Sequence, residues 1–209
     1  MTPGKRLLDL VLVLSLLPLA APLAALVALA VLVFDGRPVL HGSVRMRDGE
    51  RRFTLWKFRT MTPAAVGGGA EAGVTGGDKA ARITPLGRWL RRLRLDELPQ
   101  ILNILAGDMS LVGPRPPLPE YVARFPDLYR EVLRCRPGLT GLATLVFRRR
   151  EEQLLARCAD AAETDRVYCR RCIPVKARLD LIYARRRSPC MDLAILWRTV
   201  KQLFTSFGK

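Results

Sequence analysis

The sequence predicts a helix-rich α+β protein in which an apolar N-terminal helix precedes a basic domain with a minor β element. Two observations support this fold class. The composition changes abruptly at residue 35, and helical periodicity dominates after residue 84, whereas strand patterns are confined to residues 38–58. A chain of 209 residues favours one domain with an appendage. We therefore divide it into a membrane helix at residues 1–35 and a domain at residues 36–209.

The apolar segment at residues 10–34 has 25 residues, of which only Ser15 is polar. At about 1.5 Å per residue, a straight helix of this length exceeds the ~30 Å hydrocarbon core of a bilayer. Three interpretations compete: a cleaved signal peptide, a straight transmembrane anchor and a helix bent midway. The segment is longer than an ordinary signal sequence, which disfavours the first. Pro18 and Pro22 lie one turn apart, and each removes a backbone hydrogen bond, so we expect a sharp bend there.

Basic residues flank the apolar segment on both sides. The N-terminal flank carries Lys5 and Arg6, and the C-terminal flank carries more, namely Arg37, Arg45, Arg47, Arg51 and Arg52. The positive-inside rule places the C-terminal flank in the cytoplasm. A straight span would send the N-terminal flank to the opposite side, whereas a re-entrant hairpin would keep both flanks in the cytoplasm. The residues alone leave both topologies open.

Short strands are predicted at residues 38–40 and 52–58, with Phe53, Leu55 and Trp56 facing inward. Residues 63–78 contain six glycines and little side-chain bulk. This composition predicts a mobile loop between the strands and the helices that follow.

Helices are predicted after the loop. Thr84 is the expected N-cap of the first, with Pro85 at its first position and an apolar stripe of Leu86, Trp89, Leu90 and Leu93. The second is predicted at residues 97–105, with Asp96 as its N-cap and Gly107 just past its end. A third is predicted at residues 119–134. We expect amphipathic helices on the membrane surface, and the last, at residues 191–207, aligns Leu193, Leu196, Trp197, Val200, Phe204 and Phe207.

The charge balance limits the partners of the protein. The formal net charge is +16 and the pI is about 10.8, so the natural partners are nucleic acid, phosphorylated small molecules or an anionic membrane face. The sequence has no RNP, zinc-finger or helix-turn-helix signature, and its aromatic residues are not interleaved with the basic runs. Anionic lipid is therefore a simpler partner than nucleic acid. A non-catalytic, membrane-anchored protein that binds either of them is the alternative to an enzyme.

Histidine and cysteine usage excludes several kinds of site. A single histidine, His41, rules out a multi-histidine zinc site. The five cysteines follow no framework spacing, which favours reduced thiols in a cytoplasm. Cys169 and Cys172 form one CxxC motif without a second pair nearby, which is weak evidence for zinc or redox chemistry.

The pair Asp96-Glu97 is the first candidate for chemistry. An arbitrary Asp-Glu pair at a helix start is usually a cap, but here four arginines precede it within nine residues. These arginines and the helix N-terminus would keep both carboxylates ionised and attract a phosphate-bearing ligand or a divalent metal. A carboxylate, a phosphate and a cation between them form an arrangement suited to phosphoryl transfer.

Arg115 is the second candidate, because it lies within the sequence Pro114-Arg115-Pro116-Pro117. The prolines restrict the backbone, so the guanidinium has little conformational entropy left to lose on binding. Arg115 is therefore suited to bidentate binding of a phosphate.

Five blocks of sequence closely resemble the bacterial sugar transferases, the small monotopic phosphoglycosyl transferases that start polysaccharide and glycoconjugate assembly. The blocks are residues 5–9, 56–61, 95–105, 107–116 and 136–141. The resemblance extends over essentially the whole chain, and we expect the chain to lack the multi-span N-terminal region of the larger members.

The resemblance implies a catalytic dyad of Asp96 and Glu97, with Asp96 as the nucleophile and Mg²⁺ held at the same centre by Asp96. It implies that Arg115 binds a substrate phosphate and that Arg91 contacts the nucleotide. It also implies a re-entrant membrane helix broken at a Ser-Pro pair, which falls on Ala21-Pro22.

The sequence departs from the family pattern at two places. Alanine replaces the serine of the Ser-Pro pair, so the helix break depends on Pro22, with Pro18 nearby. At residues 43–47, only Arg45 matches a Gln-x-Arg-x-Gly pattern. The match is weakest after Arg150, and we transfer no residue role there.

The expected function is transfer of a sugar-1-phosphate from a UDP-sugar to a polyprenyl (undecaprenyl) phosphate, with release of UMP and a covalent aspartyl phosphosugar intermediate. The expected site is the cytoplasmic face of the bacterial inner membrane. The implied partners are the UDP-sugar, the polyprenyl phosphate and membrane lipid, without nucleic acid. The residues do not identify the sugar.

Overall fold

The computed structural model describes residues 1–62 and 77–207, with side chains described for residues 1–62 and 79–202. The mobile loop predicted at residues 63–78 thus lies almost wholly outside the described residues, as do the side chains of Phe204 and Phe207.

Nine α-helices are present in the described parts of the chain: α1 (Pro3–Phe34), α2 (Pro85–Leu93), α3 (Gln100–Ala106), α4 (Pro119–Arg124), α5 (Pro126–Val132), α6 (Leu142–Leu155), α7 (Ala161–Val167), α8 (Ile173–Arg186) and α9 (Pro189–Phe207). Short 3₁₀ helices at Gly77–Arg82 and Leu95–Glu97 and a π-helical turn at Tyr168–Cys172 connect some of them.

The strands form two small sheets. β1 (Leu40–Met46) pairs antiparallel with β2 (Arg52–Phe58), with Leu40 opposite Phe58. β3 (Ser110–Val112) pairs in parallel with β4 (Gly138–Thr140), and α4 and α5 form the crossover between them. The helix-rich α+β class is confirmed, with β1 starting at Leu40 rather than at residue 38.

α1 is long and apolar enough to cross a membrane. It continues through Pro18 and Pro22 as one helix. The described residues give this helix an apolar, exposed surface that includes Leu14, Leu16, Leu19 and Leu26, with exposures of 54–73%. Such a surface is unsuited to water and favours a lipid environment.

Both ends of α1 nevertheless pack against the rest of the chain. Near its start, Arg6 donates hydrogen bonds to the carbonyl oxygens of Ile104 and Leu105, at 2.5 and 2.8 Å. Near its end, Val31 is fully buried in a cluster that includes Phe58. α1 therefore shares core with the domain that follows it, and the division at residue 35 stays a prediction.

Three apolar clusters form the interior. The first lies between α4, α5, α6 and α8; the second is centred on β2 and β3 and takes Val13 from α1; the third takes Val27 and Val31 from α1. The first contains no α1 residue among its buried or packed members.

Two tryptophans face outward, contrary to the sequence expectation. Trp56 is 38% exposed, because Phe53 and Leu55 fill the buried face of β2 and successive strand residues alternate in direction. Trp89 is 55% exposed, although Thr84 caps α2 as predicted and Leu90 from the same stripe is buried.

The predicted helix at residues 119–134 is two helices. Pro126 starts α5, and the residue before a proline is disfavoured in helical conformation, so α4 ends at Arg124. In α9, Leu193, Trp197 and Val200 of the predicted stripe are exposed, and the buried side is marked by Ile195.

Candidate active site

Asp96 and Glu97 lie in the 3₁₀ turn at Leu95–Glu97. The prediction that Asp96 is the N-cap of a helix is therefore wrong. α2 ends at Leu93, and Arg94, which caps it, adopts a left-handed backbone conformation with φ of 58°. One 3₁₀ turn follows, and α3 begins only after Pro99. A non-glycine residue in this conformation carries strain that the surrounding structure must support, and such residues cluster at functional sites.

Three cations surround the buried carboxylate of Glu97. Its Oε1 accepts hydrogen bonds from Arg115 Nη2 at 2.7 Å and Lys57 Nζ at 3.1 Å. Its Oε2 accepts from Arg94 Nη2 at 2.5 Å. Burial alone would raise the pKa of Glu97, but Arg115, Lys57 and Arg94 outweigh it and hold the pKa well below the usual range.

Asp96 is equally buried but has no such partners. Within the described residues its carboxylate makes no hydrogen bond, and its nearest cation is Lys57 Nζ, 4.0 Å from Oδ2. Burial raises the pKa of Asp96, with Glu97 adding to the effect and Lys57 opposing it. The expectation that the arginines keep both carboxylates ionised stays a prediction for Asp96, because the cations act mainly on Glu97 and leave the Asp96 oxygens available to a ligand.

Arg91 lies on the last turn of α2, with its Nε donating to Thr60 Oγ1 at 2.8 Å. Burial lowers its pKa, and the charges of Asp96 and Glu97 oppose this. The structure thus brings together four of the predicted site residues: Arg91, Asp96, Glu97 and Arg115. Pro22 lies in the exposed middle of α1, outside this cluster.

Lys57 and Arg94 are site residues that the sequence analysis did not single out. Lys57 lies within one of the blocks that resemble the sugar transferases, which was a usable signal. Arg94 is one of four arginines close together in the sequence. Nothing in their pattern shows which of them forms an ion pair with Glu97, three residues after Arg94. Together with Arg91 and Arg115, they give the site more cations than carboxylates, which suits anionic ligands.

Arg115 is carried by a loop held on both sides by backbone contacts. Gly113 N donates to Thr140 O at 2.9 Å, and Gly138 N donates to Pro114 O at 2.8 Å. A Cβ atom on Gly113 would lie 2.2 Å from Arg136 O, so the two chain segments approach too closely for any side chain. The loop therefore presents Arg115 from a fixed backbone.

Arg45 lies beside this loop, where the sequence analysis left its role open. Its Nη1 is 3.4 Å from Pro116 O, and its Nε donates to Ser43 Oγ at 3.2 Å. Burial, together with the neighbouring charge of Arg115, lowers the pKa of Arg45 to about 10. Within the described residues it has no carboxylate in salt-bridge contact.

The side chains fit a magnesium ion only if a ligand supplies further oxygens. Among the described residues, no group of three or more histidine, cysteine, aspartate or glutamate side chains is placed to hold a metal ion. Asp96 offers free carboxylate oxygens, and Mg²⁺ is commonly bound by one or two carboxylates together with substrate phosphates and water. The donor set is therefore suited to Mg²⁺ that arrives with a phosphorylated ligand.

The CxxC motif lies in surroundings that disfavour thiolate chemistry. Cys169 and Cys172 are buried free thiols in the π-helical turn. Burial raises the pKa of both, that of Cys172 to about 11, which disfavours the thiolate needed for metal binding or redox chemistry.

These features define a class of protein: a helix-rich α+β chain with one helix of membrane length and a buried Asp-Glu pair in a cation-rich pocket suited to phosphates. The sequence model of the bacterial sugar transferases matches residues 2–206, and the chain belongs to that family.

Curated relatives match nearly the whole chain. It is 32% identical to an Aeromonas hydrophila protein named UDP-N-acetylgalactosamine-undecaprenyl-phosphate N-acetylgalactosaminephosphotransferase, with 98% of this chain and 44% of the relative covered. It is 37% identical to undecaprenyl-phosphate glucose phosphotransferase of Komagataeibacter xylinus, with 95% and 35% covered. It is 38% identical to UDP-glucose:undecaprenyl-phosphate glucose-1-phosphate transferase of Caulobacter vibrioides, with 97% and 70% covered. The chain thus spans less than half the length of the first two relatives.

Proposed function

We propose that the protein transfers a sugar-1-phosphate from a UDP-sugar to a polyprenyl phosphate such as undecaprenyl phosphate, with release of UMP. The observation that carries this proposal is the unequal environment of the two carboxylates. Glu97 is held by three cations, whereas Asp96 makes no hydrogen bond in the described part of the chain. A buried carboxylate that makes no hydrogen bond, beside an arginine-rich wall, supports attack on a phosphate that the arginines bind.

In the proposed reaction, an Asp96 oxygen attacks the sugar-linked phosphorus of the donor. A bond forms between this oxygen and phosphorus, the phosphorus–oxygen bond to UMP breaks, and UMP leaves with the electron pair. A phosphate oxygen of the polyprenyl phosphate then attacks the same phosphorus. The bond to Asp96 breaks, which regenerates the carboxylate and yields the lipid diphosphate sugar.

The cationic side chains offset the repulsion between a carboxylate and an anionic diphosphate. In this proposal Arg115 binds phosphate oxygens from its fixed loop, and Arg91 contacts the nucleotide. Glu97 keeps Arg115, Lys57 and Arg94 in place, which is a positioning role. Mg²⁺ held by Asp96 and the donor phosphates would neutralise further charge on the diphosphate.

We propose further that α1 is a re-entrant helix that keeps both flanks on the cytoplasmic face of the bacterial inner membrane. A straight helix of 32 residues would be about 48 Å long. Its two ends are nevertheless linked through a short stretch of the same domain: Arg6 binds α3, and Asp35, just after α1, accepts from Thr84 Oγ1 at 2.9 Å. Pro18 and Pro22 lie between these contacts and supply the means of bending.

An assay of UMP release tests the reaction. Purified enzyme with Mg²⁺ is incubated with a panel of UDP-sugars, with and without undecaprenyl phosphate. We expect one UDP-sugar to support turnover with the lipid and to give about one equivalent of UMP per active site without it, as a covalent intermediate requires. Mass spectrometry should then find a matching sugar phosphate on a peptide that contains Asp96. No UMP release with any donor would favour the non-catalytic alternative, a basic membrane-anchored binding protein.

A further inference from the structure

A cleft of about 490 Å³ opens between α5 and α8, away from the carboxylate pair. Its apolar walls include Phe125 and Leu128 beside and on α5, and Leu181 and Ile182 on α8. Ile182 is 38% exposed, so an apolar side chain faces water here. Phe125, Leu128 and Leu181 are half-buried, so the four side chains together form a contiguous apolar surface of the kind that another apolar group covers.

Two arginines, Arg178 and Arg185, also line the cleft. They lie seven residues apart on α8, which is two helical turns or about 10 Å. Neither forms an ion pair or a side-chain hydrogen bond with any residue that the structure describes. Both are exposed. The cleft therefore combines an apolar floor with two unpaired positive charges.

We propose that this cleft docks an amphipathic segment of a partner protein, whose apolar side chains fill the cleft and whose carboxylates pair with Arg178 and Arg185. Carboxylates two turns apart on a helix would match the spacing of the two arginines, and recognition of an amphipathic helix in an apolar groove is a common mode of peptide binding. The proposal does not depend on the proposed transferase reaction.

Charge disfavours the other occupants. A second copy of this chain carries the same charge of +16 and would bring further arginines towards Arg178 and Arg185. A lipid tail would fill the apolar floor but would not pair with the two arginines, because it carries no charge. An acidic protein segment satisfies both the apolar floor and the charges.

Site-specific photo-crosslinking in native membranes tests the proposal. The full chain carries a benzophenone amino acid in place of Ile182, and the matched control carries it in place of Val175, which lies on the same helix with 40% exposure but does not line the cleft. We expect Ile182 to give a protein adduct of defined mass, with the crosslinked peptide rich in Asp or Glu. Val175 should not give this adduct.

Charge reversal supplies the second arm. Arg178→Glu combined with Arg185→Glu should lower the adduct yield by about tenfold or more, whereas Arg186→Glu, an exposed neighbour outside the cleft, should leave it within about twofold. The double variant and Arg186→Glu should both match the parent in thermal unfolding and in UMP release. An adduct with phospholipid, with a second copy or with residues 63–76 of the same chain would overturn the proposal. The absence of any adduct, or an adduct insensitive to charge reversal, would overturn it equally.

Discussion

The carboxylate of Asp9 in α1 accepts a hydrogen bond from the hydroxyl of Ser110 in β3, with 2.7 Å between Oδ2 and Oγ. Oδ1 of the same carboxylate accepts from Leu111 N at 3.3 Å. Asp9 and Ser110 are 2% and 0% exposed, so the contact is shielded from water. Ser110 stands five residues before Arg115, and α1 thereby holds the strand that leads into the Arg115 loop.

Asp9→Ala should destabilise the protein by about 1–3 kcal/mol, because it leaves the buried Leu111 N–H without its acceptor and the Ser110 hydroxyl with only its longer contact to Val112 O, at 3.2 Å. It should also lower the rate of UMP release, because β3 anchors the Arg115 loop. Ser110→Ala should be milder, and the double variant should be less destabilised than the sum of the two, as expected for groups in contact. Unfolding of the detergent-solubilised protein measures this, with Ser15→Ala on the exposed side of α1 as the control. Additive effects would contradict the coupling.

Asp96→Asn and Glu97→Gln should separate catalysis from stability. Asp96→Asn removes the proposed nucleophile and should lower turnover by at least about 10³-fold with little loss of stability. Glu97→Gln leaves Arg115, Lys57 and Arg94 without their common carboxylate and should destabilise the protein by about 3–5 kcal/mol.

UMP release and unfolding of the same preparations measure the two effects. Asp127→Asn is the matched control, since Asp127 is exposed and paired only with Arg130 in the described structure. Full turnover by Asp96→Asn would exclude the covalent route.

The re-entrant topology predicts that both flanks of α1 are protected from the periplasm. With the native cysteines replaced, Thr2→Cys and His41→Cys should resist an impermeant maleimide added to intact spheroplasts and react after permeabilisation. Leu19→Cys, which is 73% exposed on the middle of α1, should react poorly in both conditions because lipid covers it. Labelling of position 2 from outside would establish a straight span instead.

Asp180 should make the stability of the protein depend on pH. Burial raises its pKa to about 7, while Lys176 opposes and Glu151 adds to this effect. The folded state therefore binds a proton that the unfolded chain has released above about pH 4, and stability should fall as the pH rises from about 4 to 7. Asp180→Asn should remove this loss of stability. Above pH 7 its free energy of unfolding should exceed that of the parent by at most about 4 kcal/mol, and near pH 4 the two should differ little. Measurement of the free energy of unfolding across this pH range checks the prediction, with Asp127→Asn as the control. If the free energy of Asp180→Asn changed with pH in the same way as that of the parent, the prediction would be contradicted.

Local signals in the sequence were sufficient for much of the fold. Thr84 and Pro85 predicted the start of α2, and Gly107, with φ of 84°, ends α3 as expected of a glycine at that position. The inward positions of Phe53 and Leu55 followed from strand alternation. In each case, neighbouring residues determine the outcome, so a short pattern is enough.

The errors concern features that distant contacts decide. Asp-Glu before Leu-Pro is compatible with either a cap or a 3₁₀ turn, and the left-handed conformation of Arg94 that selects the turn has no sequence signature in an arginine. The pairing of Glu97 with Lys57 joins residues 40 positions apart. The preference of the cations for Glu97 over Asp96 depends on that contact and on the ion pair of Glu97 with Arg115, and composition alone could not reveal either.

The packing of α1 has a consequence for biosynthesis. A chain shortened to residues 36–209 would lose Val13, Val27 and Val31 from two interior clusters and would leave Ser110 without Asp9. Residues 36–209 are therefore not a self-contained unit to which α1 is a dispensable appendage. Because α1 completes two of the interior clusters, the proposed insertion of α1 into the membrane would also complete the fold around β3, and a chain that fails to insert should then fail to fold.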